Sequence, residues 1–284
     1  MAIALASAAV AADQIPLGPV GVELDGIDLA HLDKAGFERI RTALADHGLV
    51  ALRHQQVSPD DHVALARRFG GIDLNNFFPI DGAYPEIALV QKEKDQTTNI
   101  GGGWHTDHSY DAVPAMGSIL VARELPPSGG DTLFIDMAAV FDGLSDGLKD
   151  TLRGLRAIHS ADHVYGEKGY YATTDLAGSL RGQTLSNRAV HPVVIRHPDT
   201  GREILYVNPS FTLRFDGWTG EESQPLLQML FARARAQENV TRLRWTPGTV
   251  AMWDNRSTWH FAENDYQGHR RVMHRITLSG VALS

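Results

Sequence analysis

Apolar residues at helical spacing are confined to a few stretches of the chain. Phe37, Ile40 and Leu44 recur three and four apart between Asp33, a capping residue, and Gly48, a stop, so a helix is expected there. Ser58-Pro59-Asp60-Asp61 marks a second start: a capping hydroxyl, proline at the first helical position, and acids set against the helix dipole. Val63, Leu65, Ala66 and Phe69 give its apolar side, and Gly70-Gly71 ends it. Ser145 caps a third helix through Leu148 and Leu152. Thr219 and Glu222 form a capping box before Leu226, Leu227, Leu230 and Phe231, with Pro225 predicting a kinked or later start.

Elsewhere the pattern is one of short β-branched or alternating runs. Strands are expected at Leu49–Leu52, Ile87–Val90, Ser118–Val121, Thr132–Ile135 and Val193–Arg196. Further ones are expected at Ile204–Val207, Thr241–Trp245, Val250–Trp253 and Arg275–Val281. Turn clusters such as Asp199-Thr200-Gly201 and Pro247-Gly248 separate them. No regular strand–helix alternation occurs, which argues against a doubly wound parallel sheet. The expectation is a mainly β fold with flanking helices (α+β), built as one sandwich or jelly-roll domain over residues 1–284. Residues 162–190, rich in Gly, Tyr, Ser and Thr, read as an active-site lid.

Composition narrows the function classes. With 43% hydrophobic and 21% charged residues the chain is too apolar for disorder. A formal net charge of -8 argues against a nucleic-acid partner, and no run reaches the ~18 apolar residues of a membrane span. The Ala-rich start, Met1 to Ala12, lacks the basic region of a secretion signal and is expected to be loosely docked, so the cytoplasm is the default location. The absence of cysteine removes thiolate metal sites, disulfides and cysteine nucleophiles, leaving thirteen histidines as nitrogen ligands.

Candidate chemistry concentrates after three glycines, in Gly101-Gly102-Gly103-Trp104-His105-Thr106-Asp107. On an extended strand, His105 and Asp107 project from one face, as two ligands of one ion should. His260, just after a strong strand signal, is the third candidate. Two histidines and one carboxylate with open positions opposite suit a non-heme Fe(II) oxygenase, though zinc can use the same atoms. Arg271 and Arg275 follow on one face of a returning strand. Two guanidinium groups facing a cavity call for anions, and arginine's planar fork holds carboxylates bidentately. Exposed arginines in ion pairs are the competing reading.

Taken together, Trp104-His105-Thr106-Asp107, Gly129-Gly130-Asp131-Thr132 and Trp253-Asp254-Asn255-Arg256 with His260, Arg271 and Arg275 resemble the taurine dioxygenase / phenoxyacetate-herbicide dioxygenase (TauD/TfdA) family. The similarity runs from Leu17-Gly18 to Gly280 and takes in Arg67-Arg68-Phe69-Gly70, His191-Pro192-Val193-Val194 and Tyr206-Val207-Asn208. It implies a double-stranded β-helix (cupin-like jelly roll) and an Fe(II)- and 2-oxoglutarate-dependent dioxygenase that also consumes O2. Residue by residue, it implies that His105, Asp107 and His260 hold iron. Arg271 and Thr132 would hold the distal carboxylate of 2-oxoglutarate, and Arg275 the anionic group of the substrate. Succinate and CO2 would be released, and a hydroxylated carbon bearing an ether oxygen, sulfate or sulfonate would then undergo C–O or C–S cleavage. Homo-oligomers, dimers or tetramers, are implied as well.

The chain departs from the family where taurine is gripped. Asn75 and Phe78 stand in place of a histidine and a tyrosine, and a glycine near Gly101 replaces an asparagine, so taurine is disfavoured. Tyr165 and Phe211 match aromatic wall residues; Phe77 and Tyr110 are further candidates by their type. The segment His159–Gly166 is also similar to aryloxypropionate herbicide dioxygenases. The expected substrate is thus a small anionic organic molecule with an apolar or aromatic body: an aryloxyalkanoate, alkyl sulfate or sulfonate. Asn208 is a further pocket candidate, and His108 is expected on the face opposite the ligands. His54, His62, His163, His191 and His269 read as surface or packing residues, and His274 as facing away from the arginines. A zinc or manganese hydrolase or isomerase, or a non-catalytic jelly-roll binding protein, are the alternative readings.

Overall fold

A computed structural model of the chain describes residues 13–75, 77–178, 180 and 187–283. The Ala-rich start and part of the expected lid lie outside them. In chain order the first elements are β1 (Gln14–Pro16), β2 (Val22–Leu24), α1 (Lys34–His47), β3 (Leu49–Leu52), α2 (Pro59–Arg68) and β4 (Ile72–Asp73). β5 (Ile80–Asp81), β6 (Tyr84–Lys92), β7 (Gly117–Glu124), β8 (Thr132–Asp136), α3 (Met137–Asp142) and α4 (Asp146–Arg153) follow. Next come β9 (Arg156–Ser160), α5 (Asp162–Tyr165), β10 (Arg188–Pro192), β11 (Val194–Arg196), β12 (Glu203–Leu205) and β13 (Thr212–Phe215). The chain ends through α6 (Gly220–Ala234), β14 (Val240–Leu243), β15 (Val250–Asp254), β16 (Thr258–Ala262) and β17 (Arg271–Leu278).

The helices begin where their capping chemistry places them. Asp33 accepts from the Gly36 amide at 2.7 Å, and Gly48, at φ 70°, returns its N–H to Leu44. Ser58 with Asp61 and Thr219 with Glu222 each form a reciprocal box. α6 nevertheless starts before Pro225 and contains it as its sixth residue, giving up the bond to the Glu221 carbonyl while the Thr219–Glu222 box holds the start. Ser145 stands in extended backbone at the start of α4 without a side-chain capping bond.

The large sheet runs β1-β2-β3-β15-β7-β17-β6-β5, with β4 pairing the end of β17, and β2–β3 is its parallel pair. Alternation of side chains splits each central strand between two cores. Val50, Leu52, Ile119, Val121, Val250, Met252 and Ile276 pack under α1 and α2. Leu49, Ala51, Leu120, Ala251, Trp253 and Met273 turn the other way, against Phe134, Leu243 and Trp245. Phe134 and Leu243 belong to a three-stranded sheet, β14-β8-β16. A further apolar cluster packs α3 and α6 with Trp259 of β16. The result is mainly β with flanking helices, and the inner face of the large sheet meets β8 and β16. No described helix is long and apolar enough to cross a membrane.

Strand limits differ from expectation where charge obscured the pattern. The last strand runs Arg271–Leu278 instead of Arg275–Val281, since its inner face carries Arg271 and Arg275. Ile204–Val207 shortens to Glu203–Leu205. Residues 162–173 of the expected lid fold as α5 and a short 3-10 turn at Tyr170–Thr173.

Candidate active site

An isolated antiparallel bridge joins His105 to His260: the His105 amide donates to His260 O at 3.1 Å and the His260 amide to His105 O at 2.8 Å. Their imidazole centroids stand 4.0 Å apart. Asp107 enters from the turn that follows, where a strand was expected, and places Oδ1 3.5 Å from His105 Nε2 and Oδ2 3.6 Å from His260 Nε2. The Thr106 hydroxyl ties this turn to the Asn255 carbonyl. The three ligand atoms lie within 4.8 Å of one another, and all three residues are buried. His105 Nδ1 is 2.7 Å from the Gly103 carbonyl; donation there leaves Nε2 free to ligate. Two imidazoles and a carboxylate converging from one side is a donor set that fits a divalent transition metal with open positions.

Burial alone would push the Asp107 carboxyl up, but Arg275, His260 and His105 hold it well below the usual carboxylate range. Burial, with His105 adding to it, keeps the His260 imidazole well below its ordinary value. Both groups are therefore in the protonation state a metal requires.

Arg275 donates through Nη2 to Asp107 Oδ2 at 3.1 Å, and its Nε has no partner among the described residues. Arg271, also on the inner face of β17, is buried with both Nε and Nη2 unpartnered there. Its guanidinium lies 5.7 Å from the Trp245 ring, and Trp245 Nε1 donates to Thr132 Oγ1 at 3.0 Å. A Cβ on Gly130, which sits at φ 71°, would stand 3.2 Å from Arg271 Cδ and Nε, so glycine gives the stem its room. Two convergent, desolvated N–H donors fit a carboxylate.

A cavity of about 470 Å³ opens on His105, between Tyr165, Tyr171, Ser210, Phe211 and Phe261. Phe77 stacks on Tyr165 at 4.7 Å, Tyr110 meets Phe211 edge-on at 4.8 Å, and Arg275 lies 5.7 Å over Phe78. The aromatic candidates thus form one cluster. Tyr165 and Tyr171 are brought to the cavity by the 162–173 segment, which Asp175 fastens to the amides of Thr97 and Thr98.

Other candidates land elsewhere. Asn75 Oδ1 accepts from the Phe77 and Phe78 amides, so that oxygen shapes the loop. Asn208 is fully buried, bonding Ser109 through Nδ2 and the Phe211 amide through Oδ1; it orders the segment bearing Phe211 without lining the cavity. His108 is in a turn at φ 57°, not on a strand, with Nδ1 2.9 Å from Asp111 and 3.4 Å from Asp73. His62 and His191 are buried packing residues. Sequence reasoning missed Trp245 and Ser118, whose Oγ donates to Asp107 Oδ2 at 3.1 Å. The signal for Ser118 was a hydroxyl inside an otherwise apolar buried run.

A mainly β scaffold that brings two histidines and a carboxylate within 4.8 Å of one another, and whose last strand carries a buried arginine unpartnered among the described residues, suits a non-heme iron oxygenase. The chain belongs to the taurine catabolism dioxygenase TauD, TfdA family, whose model matches residues 13–277. It is 34% identical over 268 residues to an alkylsulfatase of Acinetobacter baylyi, spanning 93% of this chain and 83% of that one. It is 31% identical to the (S)-phenoxypropionate/alpha-ketoglutarate-dioxygenase of Sphingobium herbicidovorans, over 92% of each. The crystal structure of a taurine dioxygenase from Burkholderia xenovorans superposes with a TM-score of 0.79 at 33% identity, covering 95% of this chain and 90% of that one. The protein is a 2-oxoglutarate-dependent dioxygenase that uses Fe(II) and O2.

Proposed function

We propose that His105, Asp107 and His260 hold the iron, that Arg271 and Thr132 hold the distal carboxylate of 2-oxoglutarate, and that Arg275 with Phe78, Tyr165 and Phe211 receives a small anionic substrate. The carrying observation is Arg271: a buried guanidinium with two N–H groups unpartnered among the described residues, on the same strand as Arg275, which bonds Asp107. Uncompensated charge of this kind is expensive unless an anion completes it. With iron bound, 2-oxoglutarate and O2 supply the oxidising power, and the protein's own groups orient and shield the reaction. Trp245 fixes the Thr132 hydroxyl, Gly103 fixes the His105 tautomer, and the aromatic cluster excludes water from the cavity.

The substrate class is an alkyl sulfate, sulfonate or aryloxyalkanoate, hydroxylated at the carbon next to its oxygen or sulfur so that the product undergoes C–O or C–S cleavage. The relatives' chemistry and the apolar wall support this class. Taurine fits poorly, because Asn75 Oδ1 is taken up by backbone amides and Phe78 offers no hydroxyl. Asn75 accordingly enters as a shaper of the wall and not as an anion contact. The match to residues 13–277 supports a single domain. That domain is taken further as a jelly roll working in the cytoplasm as a homo-oligomer, with the described part of the 162–190 segment as the lid.

Succinate formation from 2-oxoglutarate, measured across hexyl sulfate, 2-phenoxypropionate, hexanesulfonate and taurine, tests the proposal. One of the first three should exceed taurine by at least tenfold. Taurine as the best substrate would overturn the substrate class, and absence of succinate with all four would overturn the site assignment.

A further inference from the structure

Asp107 does not present its two oxygens equally. Oδ2 accepts the Ser118 hydroxyl at 3.1 Å and Arg275 Nη2 at 3.1 Å. Each oxygen also faces one imidazole, Oδ1 toward His105 Nε2 at 3.5 Å and Oδ2 toward His260 Nε2 at 3.6 Å, but Oδ1 receives no hydroxyl or guanidinium donor among the described residues. A carboxylate oxygen offers about two lone-pair sites, so the two donors fill Oδ2 while Oδ1 keeps its own open. Ser118 is fully buried on the inner face of β7, and β7 pairs directly with β17, which carries Arg275. The two donors therefore reach Oδ2 from neighbouring strands of one rigid sheet.

We infer that Ser118 is a positioning residue which, together with Arg275, keeps Asp107 a one-oxygen ligand through Oδ1. The inference rests on the metal assignment proposed above and adds a reason for the serine. On a six-coordinate ion, two imidazoles and one carboxylate oxygen would leave three positions for the oxoacid and O2. A carboxylate that also ligated through Oδ2 would fill the position O2 needs. Arg275 alone is a poor guard, because its guanidinium must also serve the substrate anion. The Ser118 hydroxyl has no such second duty: it is fully buried and bonds the carboxylate.

The test compares wild type, Ser118→Ala and Ser118→Thr. Mn(II) affinity is read from the electron paramagnetic resonance of free Mn(II), and the melting temperature is taken without metal. Nitric oxide then probes the O2 position anaerobically on the Fe(II)- and 2-oxoglutarate-loaded protein, read by the nitrosyl resonance. Ser118→Ala should change Mn(II) affinity by roughly tenfold or more, as loss of an outer-sphere partner does. Its nitrosyl signal should fall several-fold at a near-constant melting temperature, and Ser118→Thr should restore both readouts. Wild-type affinity and nitrosyl signal in Ser118→Ala would overturn the inference and leave the metal site standing. Failure of the wild type itself to bind Mn(II) would overturn the site assignment and this inference with it.

Discussion

Arg271 and Arg275 lie four residues apart on the inner face of one strand, both buried, yet they are different devices. Arg275 has an internal anion in Asp107, so its charge is largely met before any ligand arrives. Arg271 faces Trp245, Tyr266 and Gly130, with no carboxylate in hydrogen-bond reach among the described residues, and burial pulls its pKa down. A third buried arginine, Arg256, bonds Asp254 through Nε and Nη2, which makes it the structural reference. The difference teaches that burial of a cation says little about function. What matters is whether the fold itself supplies the counter-charge.

The comparison can be broken most severely at Asp107. Asp107→Ala should abolish turnover and lower stability by about 3–5 kcal/mol, since it turns Arg275 into a second unpaired buried charge. Urea unfolding of the metal-free protein checks this; unchanged stability would mean that Arg275 does not depend on Asp107. Arg271→Met should do the reverse. 2-Oxoglutarate binding should weaken by about 2–4 kcal/mol, roughly 30- to 1,000-fold in Kd. The unliganded protein should be as stable as wild type or more so, because an apolar side chain replaces an uncompensated charge. Calorimetric titration and urea unfolding of the same variant read both signs.

The reference pair sharpens the contrast through pH. Burial works against ionisation of Asp254, but Arg256 and His197 hold its pKa at about 2, below the ordinary 3.8. A carboxyl depressed in the folded state stabilises fully above its unfolded pKa, and that stability fades as pH falls through the folded value. Wild type should therefore lose about 2 kcal/mol between about pH 4 and pH 2 from this group, a loss absent in Asp254→Asn. Equal acid profiles for the two proteins would remove Asp254 as a contributor. The smallest effect is expected from Asn75→Ala, about 1 kcal/mol of stability from the lost turn bonds, with substrate KM within threefold of wild type. A tenfold rise in KM would restore Asn75 as a direct substrate contact.

Much of this arrangement is legible in the sequence. Asp33, Ser58 and Thr219 fixed helix starts because capping is local chemistry, complete within a few residues. The motif segments named the residues that converge, and His105, Asp107 and His260 do lie together. What local pattern could not carry was pairing between distant strands. Arg271 is legible as a residue on the same strand face as Arg275, but nothing nearby in sequence reveals that this face is roofed by Trp245 and Tyr266. Ser118 meets Asp107 only through the β7–β17 pairing that also brings in Arg275. A two-residue spacing cannot separate the Asp107 turn from a strand, and the left-handed backbone at His108 is invisible in composition. Individual aromatic residues such as Phe77 and Tyr110 likewise fit any core until their mutual stacking is seen.

His260 belongs to the β14-β8-β16 sheet, whereas the groups that hold Asp107 come from β7 and β17 of the large sheet. An ion seated between them is consequently a staple across two layers as well as a reagent. Emptying the site should loosen the seam along the His105–His260 bridge before either sheet melts, and faster amide exchange at those two residues is where that opening would first register.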